Sequence, residues 1–194
     1  MDPQQVRLLE LFQRAQAQVT DAVDAVEPHR WEAPAVPGWT VADLVAHLVA
    51  GQLHEPLLVD DGPVPAAMPT GTEDLLAGDP LGSWEAAADG ALTVWAVPRD
   101  LDAPVRSSAG DGEPVPAGVH LMDLVVELLV HAWDVARATG VAPSTDADLV
   151  AAAWAHARTR PAPAGSPARW GPALPVPADA DPWVQLLAAR GRRA

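Results

Sequence analysis

Residues 119–140, VHLMDLVVELLVHAWDVARATG, form the most apolar stretch of the chain, and their spacing predicts a buried helix. A carboxylate or imidazolium stripped of water is costly unless it is paired or bound to a metal, so buried helices rarely carry charge alone. This one holds Glu127, His131 and Asp134 among Leu, Val and Trp. Any fold for the chain must cover this helix and also give its polar stripe a partner.

The rest reads as helix after helix. Asp2-Pro3-Gln4-Gln5 predicts a helix start, with Asp2 as N-cap, Pro3 at the first helical position and Gln5 closing a capping box. Apolar Val6, Leu9, Phe12, Val19, Val23 and Val26 keep helical spacing to about residue 27. A Pro-rich linker, HRWEAPAVPGW, leads into a second helix, TVADLVAHLVAGQLHEPLLV, capped by Thr40 with Asp43 closing its box; Glu55-Pro56 marks its end. Trp39 is placed to act as a hydrophobic staple toward Leu44. Residues 60–80 read as loop, a third helix covers about 81–96, and 97–117 is a second long connection. The fourth helix runs over about 118–139 and stops at Gly140.

Ser144 is placed to cap a fifth helix, DADLVAAAWAHART, and a Pro-rich arm then leads to a short helix begun by Asp181-Pro182. No stretch shows convincing strand alternation. We expect an all-α four-helix bundle forming one domain over 1–194, with crossovers at the long connections after the second and third helices. A C-terminal strap over about 160–194 should lie along the bundle through Trp170, Leu174, Val176, Trp183 and Leu186.

A net charge of −14 argues against nucleic acid or an anionic membrane as partner, since both need a basic footprint. With no Cys there is no disulfide, no thiolate metal site and no internal thiol nucleophile, so any thiol chemistry must use a thiol brought from outside. The start lacks the basic and apolar regions of a secretory signal, and no run approaches the roughly 18 apolar residues of a membrane span. A cytoplasmic location is expected.

Glu127 and His131, four apart, share a helix face. The spacing itself carries no weight: about two His–acid or His–His pairs at this spacing are expected by chance, and the chain has two, the other being Asp43/His47. Two readings stay open from the stretch alone, an ion pair on a half-exposed face or a metal or catalytic site. His47 lies at the edge of an apolar stripe, and Asp43 is already used by its cap. If the second and fourth helices are neighbours, His47, Glu127 and His131 form a three-ligand site with positions left for water or substrate.

His54, on His47's face but about 10 Å further along, is the alternative ligand. Asp134 either orients the His131 imidazole or pairs with Arg137. Asp123 either supports the site or faces solvent. His120 is too far along its helix to join His131, and His29 and His156 are expected at the surface. Trp133 and Trp154 are expected to fill core positions.

PGWTVADLVAHL, the Glu-x-x-x-His of VVELLVHAWDVARATG and the ending ALPVPADADPWVQLLAARGRR resemble an actinobacterial family. It is the one grouped with the N-terminal domain of mycothiol-dependent maleylpyruvate isomerase, among the DinB-like metal-dependent four-helix bundles. The resemblance runs from about Trp31 to Arg192 and rests on Gly38-Trp39-Thr40 with Ala46-His47-Leu48 and His131-x-Trp133-Asp134. It implies a divalent metal held by a His on the second helix and a Glu/His pair on a later one, which match His47, Glu127 and His131. Zinc is the expected metal, and nickel or iron also suits two imidazoles and a carboxylate.

The resemblance further implies thiol-dependent S-transfer or isomerisation, with mycothiol as cosubstrate and a small electrophile as substrate. A metal-assisted hydrolase and a non-catalytic metal-binding bundle are the alternatives. The partners expected are a small-molecule substrate and a low-molecular-weight thiol, with a homodimer as the one macromolecular association compatible with this reading.

Overall fold

A computed structural model describes residues 2–59, 71–106, 114–143, 146–160 and 170–194. α1 (Pro3–Asp24) begins where Asp2 accepts the Gln4 backbone N–H at 2.6 Å. The expected capping box does not form. Gln5 instead turns inward and donates to the carbonyls of Trp95 and Val97 at 3.1 and 2.8 Å. These carbonyls lie at the end of another helix, where they lack intrahelical partners, so the buried amide meets a need there.

In α2 (Val41–Val59) the predicted box is present: Asp43 N–H donates to Thr40 Oγ1 at 3.1 Å, and Thr40 N–H donates to Asp43 Oδ2 at 3.0 Å. Pro56 does not end this helix, which continues to Val59. Proline removes the N–H that would reach the Gln52 carbonyl, but the last turn is tied into the core by Glu55. That carboxylate is fully buried against Trp95 Nε1 and His120 Nε2, each at 3.0 Å. Tertiary bonding outweighs the local signal.

α3 (Thr72–Leu76) is a short helix inside the stretch read as loop, and α4 (Pro80–Trp95) follows, with Asp79 accepting the Gly82 N–H. α5 (Ala117–Thr139) is the core helix, and Gly140 ends it at φ 80°. Asp146 caps α6 (Ala147–Ala157), taking the Asp148 and Leu149 N–H groups, and it also pairs with Arg14; Ser144 lies outside the described residues. Asp181 caps α7 (Pro182–Ala189).

α1 packs on α5 and α4, and α2 packs on α4 and α5, so α1 lies across the bundle from α2 and α4 across from α5. The crossing connections are therefore the linker before α2 and the one before α5, whereas α2 and α4 are direct neighbours across the connection expected to cross. Each crossing connection contains a small antiparallel ladder: β1 (Pro34–Val36) with β2 (Trp39–Thr40), and β3 (Pro104–Arg106) with β4 (Pro114–Pro116). Strands of two or three residues edged by proline leave no alternation to read, and Gly38 turns the first pair at φ 84°.

The core is continuous from Phe12 and Trp84 through Leu121 and Leu128 to Leu186 and Leu187. α7 packs on α6, and α6 on α5. Of the strap residues expected to dock, Trp170 and Leu186 are buried, Leu174 and Trp183 half-buried, and Val176 is exposed. Among the described residues no helix is long and apolar enough to cross a membrane.

Candidate metal centre

The register of α2 is fixed at its first turn, where Thr72 Oγ1 adds a hydrogen bond to Asp43 Oδ1 at 2.7 Å. The Thr40 N–H, then the Thr72 hydroxyl, hold the Asp43 carboxyl below its ordinary range. One turn on, the His47 ring lies 4.9 Å from that of Trp39, so this indole, expected as a staple toward Leu44, walls the imidazole. His47 Nε2 is 3.0 Å from Glu127 Oε1 on α5. His131, one turn after Glu127, meets the His47 ring edge-on, with centroids 5.7 Å apart. One ligand atom each from His47, Glu127 and His131 lies within 4.8 Å of the others.

His131 is completely buried. Burial pushes its pKa down, against the opposing pull of Asp134, and keeps the ring neutral at pH 7. Burial raises the Asp134 carboxyl, but hydrogen bonds from His131 and Arg192 outweigh it and hold this group below the usual range. An ionised carboxylate only accepts. His131 Nδ1 therefore carries the ring proton, donated to Asp134 Oδ2 at 3.0 Å, and Nε2 keeps its lone pair. That Nε2 is buried with no hydrogen-bond partner among the described residues.

Arg192 takes Asp134 in a fork, Nη2 to Oδ2 at 2.8 Å and Nε to Oδ1 at 3.1 Å. Arg137 does not: it donates to the Ala35 carbonyl at 2.9 Å and lies over the Trp133 ring. Of the two readings of Asp134, orientation of His131 is thus the one seen, and its salt bridge goes to the far end of the chain. Trp170 stacks on His131 with centroids 5.0 Å apart. Both Trp170 and Arg192 reach the site through a backbone crossing of Gly171 and Gly191. Gly191 has φ 77°, and a Cβ on it would overlap the Gly171 backbone. Neither Trp170 nor Arg192 was singled out for the site from sequence; the only trace is an Arg-rich ending in a chain poor in bases.

His54 is not part of the trio. Its Nδ1 donates to the Ala50 carbonyl at 2.6 Å, and with His47, Gln52 and Glu127 it lines an open cleft of ≈ 190 Å³ leading to the trio. His120 is a core residue paired with Glu55. Asp123 faces neither the trio nor open solvent, because His156 Nε2 and Arg160 Nε hold it at 2.7 and 2.8 Å; His156 is therefore half-buried rather than on the surface. His29 is exposed beside Glu27. Trp133 is buried and Trp154 half-buried against the core.

Two imidazole nitrogens and a carboxylate oxygen, one nitrogen a buried bare lone pair, are a donor set suited to a divalent transition metal. The carboxylate behind His131 is the support such ligands ordinarily have.

A family model described as the mycothiol maleylpyruvate isomerase N-terminal domain matches residues 12–136. Two uncharacterized proteins, from two strains of Mycobacterium tuberculosis, are each 30% identical over 156 residues, covering 79% of this chain and 80% of their own. A crystal structure of a mutant mycothiol-dependent maleylpyruvate isomerase shares the fold with a TM-score of 0.60 at 16% identity, covering 78% of this chain and 67% of that one.

Proposed function

The chain belongs to the mycothiol maleylpyruvate isomerase N-terminal domain family, and we propose that it is a divalent-metal enzyme using mycothiol or a similar low-molecular-weight thiol for S-transfer or isomerisation of a small electrophile. The observation that carries this reading is the bare, buried His131 Nε2 beside His47 and Glu127. His47, Glu127 and His131 would hold the metal, with zinc favoured by two nitrogens and one oxygen. When bound, such an ion lowers the pKa of a thiol so that the thiolate is available at neutral pH.

The chain's own residues do the rest. Asp134 holds the His131 proton on Nδ1, Arg192 keeps Asp134 ionised, and Trp170 excludes water from that face. The cleft beside His47 admits thiol and substrate past the apolar Leu48, Leu124 and Leu128. With no cysteine in the chain, the nucleophile is the incoming thiol. A cytoplasmic setting, where such thiols are abundant, belongs to the same proposal; no observation supports a homodimer.

Elemental analysis of tag-free protein tests the metal, and consumption of a haloarene or epoxide with and without added thiol tests the chemistry. Stoichiometric metal with thiol-dependent turnover is the expected result. Metal with thiol-independent hydrolysis would move the assignment to a metal-assisted hydrolase. Protein that takes up no zinc, nickel or iron on reconstitution would leave a non-catalytic bundle.

A further inference from the structure

Asp134, which holds His131, also lines a second cleft of ≈ 210 Å³ with Arg137, Arg192 and Arg193. The chain has 12 basic residues against 26 acidic ones, so three arginines on one cleft concentrate positive charge where the rest of the molecule is negative. Arg192 and Asp134 neutralise each other in their fork. Arg137 and Arg193 form no ion pair with a carboxylate among the described residues, and they leave the cleft with an uncompensated positive charge.

Arg137 is pre-positioned. One N–H goes to the Ala35 carbonyl at 2.9 Å, and the guanidinium lies 5.3 Å from the centroid of the Trp133 ring. Its other donors have no partner among the described residues, and a stacked guanidinium loses little freedom when it binds a ligand. The Gly171–Gly191 crossing turns Arg192 inward and leaves Arg193 exposed at the same cleft. The remaining wall is apolar, formed by Val36, Pro37 and Trp133.

We propose that this cleft binds a small organic acid, its carboxylate held by Arg137 and Arg193 and its short apolar stem resting on Trp133, Val36 and Pro37. A planar carboxylate matches the guanidinium fork. An inorganic oxyanion would match the arginines but gain nothing from Trp133, Val36 and Pro37, whereas an apolar stem loses water against them. The site stands whether or not His47, Glu127 and His131 hold a metal, because none of them lines it.

The test is titration of butyrate, and separately of inorganic phosphate, into the full-length protein stripped of metal by a chelator, at low ionic strength, followed by ligand-observed NMR. Butyrate should saturate a single site and bind more tightly than phosphate. Arg137→Gln and Arg193→Gln should each weaken it about 10-fold, the loss of one charge-assisted hydrogen-bonding group. Arg30→Gln removes the same charge from a residue outside the cleft and should leave binding unchanged. Both cleft arginines are exposed, so circular dichroism should report a native fold; if one variant unfolds, the other decides. The proposal fails if butyrate does not saturate, if Arg30→Gln weakens it as much as the cleft variants do, or if phosphate binds more tightly.

Discussion

The rings of His131 and Trp170 lie face to face, 5.0 Å between centroids and 7° from parallel. Positive charge gathers on the same indole: the guanidiniums of Arg190 and Arg192 lie 5.4 and 5.6 Å from its ring centroid. An imidazole at the heart of the candidate centre is thus walled by the C-terminal segment, which also supplies the base that holds Asp134.

Trp170→Ala removes that wall. Loss of a buried Trp side chain should cost about 3–5 kcal/mol, read by urea denaturation. Water reaching the ring should also raise the His131 pKa toward its ordinary value, because burial is what depresses it. An NMR titration of the imidazole protons checks the shift.

Asp134→Asn removes the charge that fixes the His131 proton and takes from the buried Arg192 guanidinium the carboxylate it forks onto. Zinc affinity, measured by competition with a chromophoric chelator, should fall about 10–100-fold. Stability should drop by about 3–5 kcal/mol as one partner of a buried pair is lost. Unchanged zinc affinity would show that Asp134 is structural only.

Glu127→Ala should abolish metal binding and leave the bundle folded. The carboxylate is nearly buried, so its removal relieves desolvation while losing the hydrogen bond with the part-exposed His47, and the metal-free variant should stay within about 1 kcal/mol of metal-free wild type. An unfolded variant from a wild type that carries no metal would make Glu127 part of a structural ion pair.

His120→Leu strands the fully buried Glu55, leaving it the Trp95 N–H. The cost should be about 3–5 kcal/mol. Adding Glu55→Gln, which removes the charge but keeps an acceptor for Trp95, should recover part of it. The pair is read by a double-mutant cycle in urea.

Acid should loosen the start of α2 through Asp43. Its folded pKa lies below the unfolded value of 3.8, so its stabilisation is complete above that range and drains away as pH falls through the folded value. Asp43→Asn should cost about 1 kcal/mol at pH 7 and flatten the stability profile below about pH 4. Denaturation midpoints at a series of pH values separate the two curves.

Three of the helices were legible from starts that carry their own caps: Asp2, Thr40 with Asp43, and Asp181 act within three residues of themselves. The trio was legible for a different reason, since Glu127 and His131 are polar groups in an apolar run and such groups need partners. What stayed hidden depends on distant chain. Gln5 abandoned its local box for carbonyls about ninety residues on, and Pro56 remained helical because Glu55 bonds to α4 and α5. Asp134 chose Arg192 over the nearer Arg137, a choice made by the glycine crossing and invisible to spacing.

The glycine crossing also sets an order of events during folding. The His47–Glu127 contact spans 80 residues and the Asp134–Arg192 contact 58, and loops of that length close after the local helices have formed. Until Gly171 and Gly191 meet, His131 has neither its carboxylate fixed nor its indole wall. Completion of the trio's surroundings should therefore be among the last steps, and under the proposed function metal affinity would report whether the C-terminal segment has docked.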